Sequence, residues 1–255
     1  MNTVLQVERL AKAFGGVKAV TDLSFGVEAG ELLAIIGPNG AGKSTCFNMV
    51  GGQLTPDSGT VRLSGRDITG LPPRAIWRLG VGRTFQITAT FASMTLRENV
   101  QMALISHHRR VRALWPKANG LCREEAMAVL ARVGMADQAE RACGVLAYGD
   151  IKRVELAVAL ANEPKLLLMD EPTAGMAPGE RIALMGLAAE IVRERGISVL
   201  FTEHDMDVVF AHANRILVLD RGRAIASGPP SQVRADPEVR RIYLGGAAEP
   251  PEPVS

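Results

Sequence analysis

The sequence has few cysteines, no excess of charge of one sign and no long apolar run, and each shortage argues against a class of protein. Only three cysteines occur among 255 residues. They are widely spaced and odd in number, which argues against a disulfide framework or a structural zinc site and fits a reducing compartment. The 29 basic and 27 acidic residues leave a formal charge of +2, so the chain lacks the field with which nucleic-acid binders collect phosphates. We expect a reduced, cytosolic protein with no nucleic-acid partner.

Signals for membrane insertion and export are missing as well. No stretch approaches the roughly 20 apolar residues that span a bilayer. The N-terminal residues include the charged Glu8, Arg9 and Lys12, where a signal peptide needs an apolar centre and a small-residue cleavage site. We therefore expect a chain that neither crosses a membrane by itself nor is exported.

Two kinds of apolar pattern predict two β layers. Apolar and polar residues alternate, as in half-exposed antiparallel strands, in three segments separated by turn signals such as Gly15-Gly16; these segments are residues 3–8, 22–28 and 60–63. Three other segments are apolar almost throughout, as expected of parallel strands covered on both faces; these are residues 32–36, 166–169 and 198–202. The predicted fold class is therefore α/β, with a central parallel sheet and a separate antiparallel layer.

A helical segment and a tail complete the predicted organisation. Residues 91–163, approximately, are rich in Ala, Leu, Glu and Arg and contain no convincing strand, which favours a helical subdomain inserted into the α/β core. The catalytic core with its β subdomain is then formed by about 1–90 and 164–245. Residues 246–255 contain proline and almost nothing to bury, so a disordered tail is expected.

A glycine-rich loop follows the first parallel strand and matches the pattern G-x-x-x-x-G-K-[ST] in the required context of strand, loop and helix. Its glycines let main-chain N–H groups turn toward one centre at the positive end of the following helix. Lys43 would bring a cation to the β and γ phosphates of a nucleotide, and Ser44 a hard oxygen to Mg²⁺. The residues predicted to bind nucleotide here are Gly37, Pro38, Asn39, Gly40, Ala41, Gly42, Lys43, Ser44 and Thr45.

Charged residues follow the other two apolar strands. Asp170 and Glu171 end the second strand, at the sheet edge where α/β proteins bind ligands. We expect Asp170 to hold Mg²⁺. Because side chains alternate along an extended chain, Glu171 should point elsewhere, toward an attacking water, as the general base. His204 leaves the third strand at the same edge and could bond the γ phosphate, although a single histidine after a strand is more often a structural hydrogen-bonding residue.

A glutamine after a short strand is a weaker candidate. In the stretch Gly82-Arg83-Thr84-Phe85-Gln86, the amide of Gln86 could ligate Mg²⁺ or orient the water. One glutamine is usually only a solvated amide, so its role depends on its context.

Together these residues resemble the nucleotide-binding subunit of an ATP-binding cassette (ABC) transporter. The resemblance covers essentially the whole chain to about Gly245. The order of motifs carries the resemblance: the P-loop, Gln86, a helical subdomain, a signature motif, the acidic pair, a D-loop and His204 follow one another. It implies a P-loop NTPase (RecA-like) core that hydrolyses ATP with Mg²⁺. The implied catalytic residues are Glu171, His204, Lys43 and Gln86, and the implied metal ligands are Ser44, Gln86 and Asp170. Phe14 and Val20 would lie beside the adenine, although a core position remains the alternative for Phe14.

The resemblance also implies a head-to-tail dimer with an identical or paralogous subunit. The signature motif of one subunit would contact ATP bound to the other; here it is Leu146, Ala147, Tyr148, Gly149 and Asp150. The family's usual LSGGQ reads LAYGD, so a serine hydroxyl is absent at position 147 and a carboxylate replaces glutamine at position 150. Ala177 stands where the D-loop usually has aspartate. These departures put the usual cross-dimer polar contacts in doubt.

Several stretches look more narrowly like the ATPase subunits of branched-chain amino acid importers; they are FGGVKAV, GRTFQ, the tyrosine-containing signature, EHDMD and DPEVRRIYLG. This implies transmembrane permease subunits as partners, indirectly a periplasmic solute-binding protein, and a peripheral position on the cytoplasmic face of the inner membrane. Residues 83–94 are expected to couple the chain to its permease. The alternatives are an importer for urea, amides or aromatic acids, an exporter of lipid or lipopolysaccharide, and a soluble ABC ATPase outside transport.

Overall fold

The computed structural model describes residues 3–84, 90–108 and 120–243. The strands are β1 (Thr3–Phe14), β2 (Val17–Glu28), β3 (Leu32–Ile36), β4 (Ser58–Leu63), β5 (Arg66–Asp67), β6 (Val81–Thr84), β7 (Leu166–Asp170), β8 (Ser198–Thr202), β9 (Arg215–Asp220) and β10 (Arg223–Gly228). The α-helices are α1 (Lys43–Val50), α2 (Pro73–Arg78), α3 (Leu96–His107), α4 (Arg123–Arg132), α5 (Tyr148–Leu160), α6 (Pro178–Arg195), α7 (Met206–His212), α8 (Pro230–Ala235) and α9 (Pro237–Tyr243). Gln86 and the predicted tail, residues 246–255, lie outside the described residues.

The antiparallel layer is a four-stranded sheet in the order β2-β1-β4-β5. Its first two strands form a long hairpin that turns at Gly15 and Gly16, whose φ angles are 50° and 90°. Positive φ carries little steric penalty in glycine, which explains why two glycines occupy this turn. The three segments with alternating polarity therefore do form one antiparallel layer, and the strands of the hairpin extend beyond the predicted residues.

The central sheet has six strands in the order β10-β9-β3-β8-β7-β6. The five strands from β9 to β6 are parallel to their neighbours, and β10 is an antiparallel edge strand. The three uniformly apolar segments occupy its centre as β3, β8 and β7, as predicted. The edge pair β9 and β10 was not among the predicted strands.

Each central strand sends alternate side chains to two different cores. Leu33 and Ile35 of β3 pack with Phe47 of α1 and with the antiparallel layer. Ala34 and Ile36 face the opposite core, which contains residues of α3 to α7. All five residues of β3 are buried, because a strand covered on both faces has no solvent side.

Helices α3, α4 and α5 lie between β6 and β7 in the chain and pack against one another. Helix α3 begins with a capping box, in which Thr95 Oγ1 accepts from the Glu98 N–H at 3.1 Å and Glu98 Oε2 accepts from the Thr95 N–H at 2.9 Å. Helix α5 begins at Tyr148, so residues 148–150 form its first turn. None of the helices in the described ranges is both long and apolar enough to span a bilayer.

The topology brings the ends of three central strands to one edge of the sheet. The last residue of β7, Asp170, is paired with Thr202 of β8, and Thr202 is paired with Ile35 near the end of β3. Residues that follow these strands therefore meet at the carboxyl edge, the usual ligand-binding position in an α/β sheet.

Candidate functional site

The loop between β3 and α1 requires glycine at defined points. Gly42 has a φ of 100°, and a Cβ added there would lie 2.4 Å from the Ala19 carbonyl oxygen. A Cβ added at Gly37 would lie 2.4 Å from the Leu219 carbonyl oxygen. Larger side chains would push the loop away from its neighbours, so these positions are set by close packing. Asn39 and Gly40, at the tip of the loop, are exposed.

Lys43 places a buried ammonium group inside this loop. Its Nζ donates to the Gly37 carbonyl at 2.6 Å and to the Pro38 carbonyl at 3.2 Å, and the residue is only 7% exposed. Burial lowers the pKa of Lys43, while the carboxylates of Glu171 and Asp170 act in the opposite direction. The loop thus holds a poorly hydrated cation that interacts with both acidic residues, an arrangement suited to a polyphosphate. Ser44, next in the chain, is exposed.

Asp170 is a buried carboxylate held from two sides. Its Oδ1 accepts from Thr202 Oγ1 at 2.8 Å, and its Oδ2 lies 3.6 Å from Arg83 Nη2. Arg83 also donates to Gln53 Oε1 at 2.6 Å and to Asn48 Oδ1 at 3.0 Å. Burial lowers the pKa of Arg83 and the neighbouring Asp170 opposes that shift. The carboxylate is therefore positioned by its neighbours and retains lone pairs for a further partner.

Glu171 turns away from Asp170 for a reason other than the one expected from the sequence. The strand ends at Asp170, and Glu171 has a left-handed φ of 48°, so simple alternation along a strand does not apply. Its main-chain N–H donates to the Thr202 carbonyl at 3.1 Å and to Thr202 Oγ1 at 3.0 Å. These bonds fix a conformation that is costly for a residue with a side chain.

The turn at Glu171 brings its carboxylate to His204. Glu171 Oε1 lies 2.8 Å from His204 Nε2. The His204 side chain is 49% exposed, whereas that of Glu171 is 20% exposed. A carboxylate and an imidazole thus meet at the rim of the site, where one group can accept a proton and the other can hydrogen-bond a ligand.

Phe14 and Val20, the residues associated with adenine, differ in exposure. Phe14 is 49% exposed at the tip of the β1–β2 hairpin, with Lys12 Nζ 5.9 Å from its ring centroid. Val20 is 1% exposed and packs behind Gly42, where its Cγ2 would lie 3.2 Å from an added Cβ. The aromatic ring is open to a ligand, which argues against the core position considered for Phe14. Val20 instead supports the loop from below.

The signature residues surround the start of α5. Ala147 precedes the helix without a side-chain capping bond, and Ala147 and Tyr148 are exposed. The Tyr148 ring lies beside Gly175, whose added Cβ would be 3.5 Å from Cε1, and 5.4 Å from Lys152 Nζ. Leu146 and Asp150 are half-buried and Gly149 is buried. The motif therefore presents the N-terminus of a 13-residue helix on the surface.

The structure brings together most of the predicted site and adds residues that the sequence did not single out. Lys43, Asp170, Glu171 and His204 gather at the carboxyl edge. Thr202 joins them through its bonds to both acidic residues. The available signal for Thr202 was a hydroxyl at the end of an apolar strand, which by itself is common.

Comparisons with known proteins agree on one family. A family model described as "ABC transporter" matches residues 20–174, and one described as "Branched-chain amino acid ATP-binding cassette transporter" matches residues 225–249. The chain is 38% identical over 254 residues to the high-affinity branched-chain amino acid transport ATP-binding protein BraF of Pseudomonas aeruginosa, covering 96% of this chain and 98% of that protein. It is 37% identical to LivG of Salmonella typhimurium, a protein of the same description, with the same coverage.

Solved structures give the same result. The crystal structure of the ADP conformation of MJ1267, an ATP-binding cassette of an ABC transporter, matches with a TM-score of 0.85 and 33% identity, over 96% of this chain and all of that one. The structure of cbiO1 from Clostridium perfringens, part of an ABC transporter complex, matches with a TM-score of 0.80 and 31% identity, over 96% of each chain. The predicted fold class is confirmed.

The thiol next to the glycine-rich loop yields a testable prediction. Cys46, Cys122 and Cys143 are all buried. Burial raises the pKa of Cys46 to about 12 and also raises that of Cys143, so both thiols stay protonated at pH 8, where an unfolded thiol is partly ionised. In peptide mapping by mass spectrometry, maleimide should label both residues readily in urea. Labelling of Cys46 in the folded chain should be at least about a hundredfold slower; rapid labelling would contradict the burial described.

Proposed function

Because this chain belongs to the ABC transporter family, we propose that it is the ATP-hydrolysing subunit of an importer for branched-chain amino acids. The family and ATPase class expected from the sequence are confirmed. The observation that carries the proposed chemistry is the gathering of Lys43, Asp170, Glu171 and His204 at one sheet edge, with Glu171 Oε1 2.8 Å from His204 Nε2. The solute class is supported by the match of residues 225–249 and by the names of the relatives.

The donor groups at the site fit a Mg²⁺-nucleotide. The loop of residues 37–45 supplies main-chain N–H groups and the Lys43 ammonium to the phosphates, which are anionic. Ser44 and Asp170, with Gln86, would hold the metal through oxygen ligands, the type that Mg²⁺ prefers. When bound, the ion neutralises charge on the phosphates. Lys43 and the N–H groups do the same from the protein side, where their orientation is fixed before the reaction.

Glu171 is proposed as the general base. Its carboxylate is held at the rim of the site by the left-handed turn of its main chain and by His204. It accepts the proton of a water that attacks the γ phosphate in line with the leaving oxygen. His204, which is half exposed, stabilises the γ phosphate and keeps the Glu171 carboxylate oriented. Phe14, exposed at the tip of the β1–β2 hairpin, stacks on the adenine.

Two copies, or this chain and a paralogue, enclose ATP between them. The surface position of the α5 N-terminus allows Leu146, Ala147, Tyr148, Gly149 and Asp150 to face nucleotide bound to the opposite subunit. A helix N-terminus with free N–H groups favours an anion. Since Ala147 has no hydroxyl, this contact depends on main-chain N–H groups. We propose that the helical signature subdomain corresponds to about residues 91–163, of which residues 109–119 lie outside the described ranges.

A groove next to Arg83 is the proposed contact with the permease subunits. It has a volume of about 340 Å³ and lies among α2, β6, α3 and α5, with the apolar side chains of Ile76, Trp77 and Val158 in its lining. Arg83 and Gln53 also line it, and Arg83 reaches Asp170 at 3.6 Å. A permease helix in this groove would therefore press on a residue that also positions the metal-binding carboxylate. The chain would then lie peripherally on the cytoplasmic face of the membrane, and a periplasmic solute-binding protein would act through the permease.

Hydrolysis by the purified chain is the first test. Wild-type protein should hydrolyse Mg²⁺-ATP, and Glu171→Gln should lower the rate by about 10²- to 10⁴-fold, because the amide cannot accept the water proton. The same variant should still bind ATP and accumulate as a dimer, measured by light scattering coupled to size-exclusion chromatography. Unchanged turnover in Glu171→Gln would overturn the assignment of the general base.

Solute uptake tests the transport role. When the chain is co-expressed with its permease subunits and solute-binding protein, cells should accumulate radiolabelled leucine, and Glu171→Gln should reduce accumulation to background. Uptake of labelled urea and of labelled phenylalanine is measured in parallel assays as a test of the alternative solute classes. Uptake of urea without leucine would replace the proposed solute class, and leucine uptake that is indifferent to Glu171→Gln would refute the coupling of this ATPase to it.

Arg83 should affect the coupling of ATP hydrolysis to transport more strongly than Arg74, which lines the same groove. In the assembled transporter, Arg83→Gln should lower the amount of solute moved per ATP hydrolysed by at least about threefold, because it removes the cation joining the groove to Asp170. Arg74→Gln is the matched control, since Arg74 lines the same groove and is exposed. Equal transport ratios in the two variants would contradict this role for Arg83.

A further inference from the structure

The loop that follows Asp170 and Glu171 is hydrogen-bonded along its length to the end of strand β8 and to the residues after it. Thr202 bonds Asp170 and Glu171 at the start of this loop. Glu203, next in the chain, bonds Thr173. Successive residues of the segment 202–203 thus contact successive parts of the segment 170–173. The segment 170–173 leads into the D-loop, residues 174–178.

Glu203 makes the central contact with both of its carboxylate oxygens. Its Oε1 accepts from the Thr173 main-chain N–H at 2.9 Å and from Thr173 Oγ1 at 2.6 Å. Its Oε2 accepts from the main-chain N–H of His204 at 3.1 Å. The residue is 4% exposed, so its charge is stabilised by these protein donors rather than by bulk water.

A third contact lies at the far end of the D-loop. Arg181 Nη1 donates to Asp205 Oδ2 at 2.7 Å, and its Nε donates to the Met176 carbonyl at 2.7 Å. Asp205 follows His204 directly, so residues on both sides of His204 in the chain are tied to the loop of residues 171–177. The D-loop residue Ala177 has no side chain for a polar contact across a dimer. In addition to the direct contact between Glu171 and His204, the Glu203 and Arg181 contacts provide polar links between this loop and the His204 segment.

We propose that Glu203 is a positioning residue that transmits the position of His204 to Thr173 and the D-loop. The inference rests on the proposed function, in which His204 responds to the γ phosphate. A buried carboxylate with three protein donors has no solvent to compensate a lost bond. Movement of the His204 main chain must therefore carry Glu203 and Thr173 with it or break a charge-assisted bond. The D-loop then responds to nucleotide within one subunit.

Two substitutions remove different parts of this link. Glu203→Gln keeps an acceptor for Thr173 but places an amide N–H₂ group against the His204 N–H, where two donors oppose each other. Thr173→Val removes only the hydroxyl and keeps the main-chain bond, while Thr173→Ser restores the hydroxyl. Ser198→Ala is the matched control: Ser198 is also buried, lies at the opposite end of β8, and bonds main-chain groups of Glu28 and Gly30.

Hydrogen exchange measured by mass spectrometry separates ligand binding from transmission. A non-hydrolysable ATP analogue with Mg²⁺ should slow exchange of residues 37–45 and of residues 173–177 in the wild type. In Glu203→Gln the effect at residues 37–45 should remain, and the effect at residues 173–177 should fall at least about threefold. Ser198→Ala should behave as wild type in both segments.

Steady-state kinetics provide the second readout. Glu203→Gln and Thr173→Val should each lower kcat about tenfold, the loss expected when a buried charge-assisted bond is removed, with KM for ATP changed less than about twofold. Thr173→Ser should return kcat to within about twofold of wild type. A residue that only stabilised the fold would change the unfolding temperature without this recovery and without a selective effect on kcat.

The outcomes distinguish the two proposals. If the analogue leaves residues 37–45 unprotected in the wild type, the proposed ATPase site fails, independently of Glu203. If those residues are protected but residues 173–177 are not, or if Glu203→Gln protects both segments as wild type does, transmission through Glu203 is refuted. If Glu203→Gln does not fold, the comparison of Thr173→Val with Thr173→Ser decides, because Thr173→Val replaces the hydroxyl with a methyl group whereas Thr173→Ser keeps the hydroxyl.

Discussion

The proposed chemistry depends on the register of three parallel strands. In this register the last residue of β7 is opposite Thr202 of β8, so the Asp170 carboxylate meets a hydroxyl donor at the sheet edge. A shift of one residue would turn the strand over. Asp170 would then point to the face on which Met169 now packs among buried apolar side chains. Burying an unpaired carboxylate there is costly, so the pairing that stabilises the core also selects the arrangement of the site.

The antiparallel layer contributes to the site from behind. Gly42 approaches the Ala19 carbonyl of β2, and Gly37 approaches the Leu219 carbonyl of β9. The Gly222 N–H, in the turn after β9, donates to the Ala41 carbonyl at 2.9 Å. The glycine-rich loop is therefore held between β2 and the β9–β10 turn, and the glycines satisfy this packing in addition to their proposed role of leaving N–H groups free for phosphate. This explains why Gly37, whose φ is not in the left-handed region, still cannot accommodate a side chain.

Local patterns in the sequence predicted the parts of the structure that depend on near neighbours. The apolar runs of β3, β7 and β8 and the glycine-rich loop each lie within a short window, and all were recognised. The edge strand β10 was not, because its residues are mostly exposed or half-buried and show no clear period. The bonds of Thr202 to Asp170 and of Arg83 to Asn48 join residues more than 30 positions apart. The left-handed turn at Glu171 follows from its bonds to Thr202, and no sequence pattern around residue 171 predicts those bonds.

The departures from the usual signature and D-loop sequences are easier to understand with this geometry. Asp150 lies in the first turn of α5, where a carboxylate stabilises the helix through its dipole but also opposes an incoming phosphate. The first turn still offers N–H groups that have no intrahelical acceptor, so the proposed contact with ATP survives the loss of a hydroxyl at Ala147. At the D-loop, Ala177 N–H is bonded by Glu180 Oε2 at 3.1 Å and Met176 is tied to Arg181. An alanine at position 177 therefore leaves the loop well anchored within its own subunit, where Glu203 bonds Thr173 at one end of the loop and Arg181 bonds Met176 at the other.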